Sequence, residues 1–232
     1  PSTPWPTAET VFVLAPRCEP GGVFQPDPLS HPRTVNWSGR TIYPDRLFQG
    51  PLLRTVQHVN SWSEDGIDYE VQVPNLAQAV RYTATPVFAC MPILMDGVIS
   101  GFPLWRSHER FEDAVSFPFK ARSIRFYHVD LREGMRLRCY LRLVNVTPRS
   151  LTVDIVVSDG NGHKILQIKG WEEYSSHVPR RLHDFVMHPG EHYITDPMPA
   201  ELLPPSPVVV TGAIVADYSI PFYTGNRELW LK

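Results

Sequence analysis

Met91-Pro-Ile-Leu-Met-Asp-Gly-Val-Ile-Ser-Gly-Phe102 is the stretch around which the rest of the chain is organised. Its apolar side chains leave almost no polar face, and Pro92 is compatible with a first helical turn, so the stretch predicts a short buried helix. Pro103 is expected to end or kink this helix, because proline removes a backbone hydrogen bond. The sequence therefore predicts one central helix with the remaining chain folded around it.

Asp96 is the exception in this apolar helix, since a buried carboxylate is costly unless it is paired, hydrogen-bonded or protonated. Ser100 lies four residues later on the same helical face. Gly97 and Gly101 are expected to leave open space beside these polar groups. One interpretation is a site at which a ligand slides past the acid. The alternative is that Asp96 lies near the helix start and satisfies free N–H groups there.

The composition limits the classes of function. The chain has 232 residues, 43% of them hydrophobic, which suits one large domain or one and a half small ones. Its formal net charge of −2, with both signs scattered, argues against a nucleic-acid partner or an anionic membrane surface. No apolar run approaches the roughly 20 residues of a membrane span. The sequence therefore predicts a protein that binds neither nucleic acid nor membrane.

The ends of the chain and its cysteines suggest a cytoplasmic location. Residues 1–6 show neither the charged nor the apolar region of a signal peptide, and the chain does not begin with Met, as expected of an excised domain. Cys18, Cys90 and Cys139 are far apart, which suits a reducing compartment and predicts no metal cage.

The rest of the chain predicts antiparallel strands. Leu137, Cys139 and Leu141 alternate with polar residues, as in a half-buried strand, and Asp159-Gly-Asn-Gly162 is a strong hairpin signal. An antiparallel sheet with one apolar face needs a cover, and the apolar helix is the only large candidate. The expected fold is an α+β hotdog, an antiparallel sheet wrapped around one central helix. The predicted strands are residues 52–62, 67–73, 122–131, 136–146, 151–158 and 163–171.

Three regions are expected along the chain. Residues 1–40 read as a loop-rich segment with one short strand at Thr10–Ala15, and residues 41–175 as the hotdog domain. Residues 176–232 read as a Pro-rich extension with a terminal strand within 208–219. Most of the 24 prolines lie near the two ends, which predicts loops around a regular middle.

Two segments together resemble the dehydratase domains of polyketide synthases and of related polyunsaturated fatty acid synthases. Tyr43-Pro-Asp-Arg-Leu-Phe-Gln-Gly-Pro-Leu-Leu53 looks like the segment that opens the second hotdog of those double-hotdog domains. Pro92–Ser100 looks like their helix, which carries an Asp followed by Gln or His four residues later. The resemblance covers roughly residues 40–175. It implies the C-terminal half of a double hotdog and a role in polyketide or fatty acid biosynthesis.

The resemblance also implies a chemistry. In this family a His takes the α-proton of a 3-hydroxyacyl thioester, and an Asp, here Asp96, protonates the leaving hydroxyl. The substrate is carried on the phosphopantetheine of an acyl carrier protein, and no other cofactor is implied. A buried acid suits this role, because desolvation raises its pKa. The expected substrate-binding residues are Tyr43, Gly50, Pro51, Gly97, Ser100 and Gly101.

The chain departs from the family at two points. Ser100 stands where the family has Gln or His, and too little sequence precedes Tyr43 to hold the hotdog that carries the catalytic His. His188-Pro-Gly-Glu-His192 echoes the His motif but comes after the sheet, in the wrong order. His31 and His58 are both compatible with a place beside Asp96. The expectation is a second-half hotdog whose partner half lies on another chain or outside this sequence.

Other classes of function remain open. A hotdog without catalysis would bind acyl chains or hold a synthase together. A carbohydrate-binding module would stack sugars on Trp37, Trp62, Trp105 or Trp171, although scattered tryptophans are more often core residues. No G-x-S-x-G nucleophile motif is present, and the histidines offer no third ligand in view for zinc, so no metal site is predicted.

Half of a double hotdog leaves one sheet edge and one helix flank uncovered, and such an edge is a liability unless it is paired or blocked. We therefore predict that the chain pairs with a second hotdog, either its own copy or a missing half. Light scattering across a concentration range tests this. A monomer that stays soluble at high concentration would instead indicate that the Pro-rich ends cap the edges.

Overall fold

The computed structural model describes residues 9–14, 16–75, 92–107, 114–127, 130–147, 149–177, 179–180 and 184. They form short helices and a set of strands in the order that the sequence predicts. In chain order the elements are β1 (Trp37–Ser38), α1 (Gly39–Asp45), a 3₁₀ helix (Pro51–Leu53), β2 (Val56–Ser63), β3 (Gly66–Gln72), α2 (Pro92–Ile99), α3 (Gly101–Ser107), β4 (Ala114–Lys120), β5 (Ser123–Phe126), β6 (Arg136–Val146), β7 (Ser150–Ser158) and β8 (Lys164–His177).

The strands of the described residues form one antiparallel sheet in the order β1-β2-β3-β6-β7-β8-β4, and β5 pairs with another part of β8. Every strand but β1 and β4 overlaps a predicted one, although β5 ends at Phe126 and β8 continues to His177, against predicted ends at 131 and 171. Residues 106–115 are polar and their sequence predicts a loop, yet α3 continues to Ser107 and β4 begins at Ala114. Pro118 weakened the strand signal of β4, and an edge strand tolerates proline because no neighbour needs its N–H.

The buried face of the sheet is built from cross-strand pairs of apolar side chains. Ile67 lies opposite Leu141, and Tyr69 lies opposite Cys139. All four side chains are inaccessible to solvent. Directly opposed apolar residues at alternate positions stabilise a sheet and keep its register, since a slip of one residue would turn the whole set outward.

The helix α2 covers this face, as the sequence predicts. Ile93, Leu94 and Val98 are buried, and the Tyr69 hydroxyl donates a hydrogen bond to the Val98 carbonyl oxygen. Burial of the phenol raises the pKa of Tyr69 well above its ordinary value, so Tyr69 remains a neutral donor. The arrangement is the predicted hotdog: an antiparallel sheet with one central apolar helix.

The helical stretch breaks at Ser100, not at Pro103. Ser100 forms a turn between α2 and α3, and its hydroxyl donates to the Asp96 carbonyl oxygen at 2.8 Å. Pro103 is the third residue of α3, within a first turn whose N–H groups lack intrahelical partners. Because Pro103 lacks an N–H, the helical bond to the Ile99 carbonyl oxygen is missing, which agrees with a break at the turn just before Pro103. Pro103 thus does not end the helical stretch, which continues to Ser107, but it coincides with the predicted interruption.

The space beside the helix glycines is filled. A side chain at Gly97 would collide with Thr55, and one at Gly101 would collide with the Tyr69 ring. The expectation that Gly97 and Gly101 leave open space beside Asp96 is wrong. Their missing side chains instead allow α2 and α3 to approach the sheet closely.

A pair of tryptophans fastens α3 to the β2–β3 hairpin. The rings of Trp62 and Trp105 stack with centroids 6.3 Å apart. The Trp62 indole N–H donates to the Trp105 carbonyl oxygen, and the Trp105 indole N–H donates to the Ser63 carbonyl oxygen. Both indoles are buried core residues, so they offer no platform for a sugar.

The strand β8 bends in order to pair with two edge strands. Its C-terminal part pairs with β4 and its N-terminal part with β5. The bend lies at Gly170, which has a φ of +59° and whose N–H donates to Asp154 Oδ1 at 2.7 Å. A bulge of this kind increases local twist, and glycine adopts the positive φ without steric cost.

The predicted outer regions are only partly described. No strand forms within residues 9–14, where Val11, Phe12, Val13 and Leu14 are exposed, so the strand predicted at Thr10–Ala15 is absent from the residues described there. Its β-branched residues favour a strand, but none of the strands in the described ranges pairs with them. The sequence of residues 75–82 predicts a short helical turn, and its part beyond Asn75 lies outside the described residues, as does the predicted terminal strand. No helix of the described ranges is long and apolar enough to span a membrane.

Gly101→Ala tests the close approach of helix and sheet. We expect it to lower the free energy of unfolding by about 1–3 kcal/mol, because the new methyl group overlaps the Tyr69 ring in a packed core. Urea unfolding of the variant and wild type measures the difference. Gly160→Ala is the matched control, since nothing lies near a side chain at that turn. Equal stability of the Gly101 variant and wild type would contradict this packing.

Candidate active site

Asp96 is the fifth residue of α2, and no acidic residue lies in the first turn of that helix. The structure therefore does not place Asp96 at the helix-start position that a capping role requires. Its Oδ2 atom is buried and has no hydrogen-bond partner among the described residues. Burial raises the pKa of Asp96, and an interaction with the Gln49 side chain opposes part of the shift. The carboxyl group is thus biased towards its protonated form.

Tyr43 lies close enough to Asp96 for their charges to interact. Burial raises the pKa of Tyr43 to about 12; the hydrogen bond from the Val56 N–H lowers it, the Asp96 carboxylate raises it and Arg54 lowers it. The Val56 N–H donates to the Tyr43 hydroxyl at 2.7 Å, and the Arg54 guanidinium lies over the ring at 5.5 Å. The phenol is therefore held in place and neutral beside the acid.

Gly50 and Pro51 begin the 3₁₀ helix that packs against α2. The Gly50 carbonyl oxygen accepts the Leu53 N–H at 3.0 Å, which closes the turn. A side chain at Gly50 would meet no atom within 4 Å. This turn therefore carries the predicted Gly-Pro pair to the flank of the helix that bears Asp96.

A cavity of about 550 Å³ adjoins this turn. Its lining is rich in polar side chains, and it includes neither Asp96 nor Tyr43. Thr55 connects the two places, because it lines the cavity and also contacts Gly97 one residue after Asp96. The lining residues are Pro51, Leu52, Arg54, Thr55, Gln57, Gln72, Val73, Pro74, Asn75, Glu133 and Gly134.

The sequence analysis missed Gln49. Its side-chain amide reaches Ser100, with Nε2 3.4 Å from the serine Oγ. Its Oε1 atom, like Asp96 Oδ2 and Thr55 Oγ1, is buried without a hydrogen-bond partner among the described residues. Gln49 lies 47 positions before Asp96, so their spacing in the sequence does not link them. The signal that pointed to this segment was the neighbouring Gly50-Pro51 pair, which is part of the family resemblance.

No histidine hydrogen-bonds Asp96 among the side chains that the structure describes. His31 is exposed in the N-terminal segment, and His163 pairs with Asp159 in the β7–β8 hairpin. His58 is a half-buried residue of β2 opposite Glu70. His188 and His192 lie outside the described residues. Asp96 thus has no histidine partner within the described part of the chain.

A second carboxylate, Glu173 on β8, is also buried, and burial raises its pKa to about 7. It differs from Asp96 because the Trp171 indole N–H donates to its Oε1 at 2.9 Å, and Arg106 lowers its pKa in part. Burial by itself therefore does not identify a catalytic acid. The unpartnered Oδ2 beside polar groups of several segments distinguishes Asp96.

No group of three or more His, Cys, Asp or Glu residues is arranged to hold a metal ion in the described ranges. The polar atoms that converge near Asp96 are amide, hydroxyl and phenol groups. Such groups orient a substrate and stabilise charge, and with one protonatable acid they suit proton transfer to an oxygen.

Comparisons with solved structures give several dehydratase domains of polyketide synthases. The dehydratase domain from the CurJ module of the curacin polyketide synthase is 19% identical with a TM-score of 0.49, over 61% of this chain and 50% of that one. The dehydratase domain of RzxB from Pseudomonas fluorescens is 15% identical with a TM-score of 0.47, over 61% and 49%. A trans-AT dehydratase domain from Brevibacillus brevis is 15% identical with a TM-score of 0.49, over 62% and 49%.

The chain thus spans about half the length of these solved domains. No curated protein matches the sequence. A comparison with protein families matches residues 30–190 to the family described as the polyketide synthase dehydratase N-terminal domain. This match includes Tyr43, Asp96 and the whole antiparallel sheet, and it covers well over half of the 232 residues. The chain belongs to the polyketide synthase dehydratase family.

Proposed function

We propose that this chain supplies the acid for dehydration of a 3-hydroxyacyl thioester carried by an acyl carrier protein. The observation that carries the proposal is Asp96 itself: a carboxyl group on the central helix, with a raised pKa and one buried oxygen free of partners in the described part. Hydroxide is a poor leaving group, and an acid whose pKa is raised by burial is better able to hold the proton that the leaving hydroxyl needs.

In the proposed reaction a base takes a proton from the α-carbon of the thioester. The electron pair of that C–H bond forms the double bond to the β-carbon. The β-carbon–oxygen bond breaks as Asp96 donates its proton, and the hydroxyl leaves as water. The products are a 2-enoyl thioester, water, an Asp96 carboxylate and a protonated base, and transfer of a proton back to Asp96 restores the site.

We place this chain as the C-terminal half of a double hotdog, with the basic His on the other half. This rests on the Tyr43–Leu53 segment and the Asp-bearing helix, which match the second hotdog by resemblance, although the matched family is described as an N-terminal domain. It is supported by the absence of a histidine partner for Asp96 among the described side chains.

The cavity beside Pro51 suits the arm that carries the substrate. Arg54 and several amide side chains line it, and a guanidinium group is a strong partner for a phosphate such as that of phosphopantetheine. Thr55 leads from this cavity towards Asp96 past Gly97. Tyr43, Gly50, Pro51 and Ser100 are the substrate-binding residues in the proposal, whereas Gly97 and Gly101 allow the helix to pack on the sheet. The setting is a cytoplasmic synthase.

The second candidate is a hotdog that binds acyl chains or holds a synthase together without catalysis. The observation that favours it is again that no described histidine reaches Asp96. In that case the protein would bind an acyl-pantetheine and leave it unchanged.

Asp96→Asn tests the catalytic role, because it keeps the shape of the side chain and removes the proton. The assay uses the native polypeptide or complex that contains this chain, with 3-hydroxybutyryl-pantetheine and the same acyl group on an acyl carrier protein. We expect wild type to form the crotonyl thioester, detected by mass spectrometry, and the variant to be slower by at least about 100-fold.

Asp130→Asn is the matched control for this assay, since that carboxylate is exposed and far along the chain. Binding of the thioester by wild type without conversion would establish the non-catalytic alternative. Unchanged turnover in Asp96→Asn would show that another group donates the proton.

The pH dependence of stability gives an independent test of the acid. Because burial raises the pKa of Asp96 above its unfolded-state value, its ionisation opposes folding. The free energy of unfolding of wild type, relative to that of Asp96→Asn, is therefore highest below the pKa that Asp96 has in the unfolded chain. This advantage is lost as pH rises through the higher pKa that Asp96 has in the folded protein. We expect the variant to melt at an equal or higher temperature near neutral pH. A loss of about 1–2 kcal/mol there would instead indicate a helix-capping role.

A further inference from the structure

The position that differs most from the family resemblance is Ser100. Its hydroxyl proton is used in the bond to the Asp96 carbonyl oxygen at 2.8 Å. A hydroxyl has only one proton to donate, so Ser100 has none left for the Asp96 carboxyl group. It instead accepts a weak bond from Gln49 Nε2 at 3.4 Å. Asp96 Oδ2 has no hydrogen-bond partner among the described residues, so no bond from Ser100 holds that oxygen.

Gln49 supplies an amide at this place from another segment. It lies between α1 and the 3₁₀ helix, and its backbone carbonyl oxygen accepts the Arg54 Nε–H at 3.1 Å. That bond fixes the backbone from which the side chain extends towards Ser100. Gln49 Oε1 and Asp96 Oδ2 are both buried without partners among the described residues. The family carries a side-chain amide on the helix, four residues after its Asp. In this chain the amide comes instead from the Tyr43–Leu53 segment.

We propose that Gln49 is the positioning residue for Asp96 and takes over, from outside the helix, the role of the family's amide at position 100. The inference rests on the proposed function for its catalytic meaning. Its geometric basis is the reach of the Gln49 amide to Ser100, one helical turn from Asp96, and the burial of Gln49 Oε1 and Asp96 Oδ2 without partners in the described part. Gln49 acts through Asp96 and does not itself exchange a proton with the substrate.

An amide suits an acid that cycles between two states. The protonated carboxyl needs an acceptor for its O–H, and the carboxylate formed after proton donation needs an N–H donor. The Gln49 side chain carries both groups, and its buried Oε1 has an acceptor position to offer. The interaction of Gln49 with Asp96 lowers the pKa of the acid against the larger effect of burial, as a donor to the carboxylate does.

The test exchanges the amide between the two segments. Gln49→Met keeps the size of the side chain and removes both hydrogen-bonding groups, and Gln49→Ala with Ser100→Gln moves the amide to the helix. The readout is the pKa of Asp96, followed through the ¹³C shift of its labelled carboxyl carbon as pH is varied in the full chain. We expect Gln49→Met to raise the pKa of Asp96 and the double variant to return it towards the wild-type value.

Gln167→Met is the matched control, since Gln167 is a half-buried glutamine on β8 that accepts the Tyr127 hydroxyl, and it should leave the Asp96 titration unchanged. Where wild type shows turnover, Gln49→Met should lower kcat by about tenfold or more, with KM little changed and recovery in the double variant. An Asp96 titration identical in Gln49→Met and wild type would overturn the proposal. That result needs no turnover, so it is distinct from a failure of wild type to dehydrate any substrate.

Discussion

The close approach of the central helices to the sheet is the constraint on which the rest of the structure depends. Thr55 and the Tyr69 ring occupy the places where side chains at Gly97 and Gly101 would lie. Because of this contact the Tyr69 hydroxyl reaches the Val98 carbonyl oxygen inside the core. A buried phenol without such a partner would cost several times the net worth of an ordinary hydrogen bond, so the contact and the bond support each other.

The same approach explains why Asp96 is desolvated. One face of α2 packs against the sheet, and the Tyr43–Leu53 segment covers the face beside it. Asp96 lies on that second face, close to Tyr43 and Gln49. The cost of burying the carboxyl is thus imposed by packing that the fold needs for other reasons. Neutralisation by a proton is the least costly response, and this is also the state in which the group can act as an acid.

Much of the fold could be predicted from local pattern. The alternation in β6, the Asp-Gly-Asn-Gly hairpin before β8 and the apolar helix with its lone acid each carry their information within a few residues. The errors arose where a local signal competed with a distant contact. The interruption expected near Pro103 divides one predicted helix into two, and the two glycines are opposed by residues of β3 and of the segment before β2.

Gln49 could not be found from sequence, because no spacing rule links it with Asp96. Only the folded chain brings the loop before the 3₁₀ helix to the flank of α2. The acid itself was predictable from its anomalous place on an apolar helix, and its surroundings were not.

The bend at Gly170 has a consequence for how the sheet behaves towards other chains. Because β8 turns at this bulge, the strands that pair along it are two short pieces, β4 and β5, and β4 carries Pro118. At the opposite end of the sheet order stands β1, which has two residues. A strand from a foreign chain needs a long, straight and unpaired row of backbone groups to grow from. Edges that are short, bent or interrupted by proline do not present such a row to a foreign strand. The geometry of this sheet therefore disfavours edge-to-edge polymerisation.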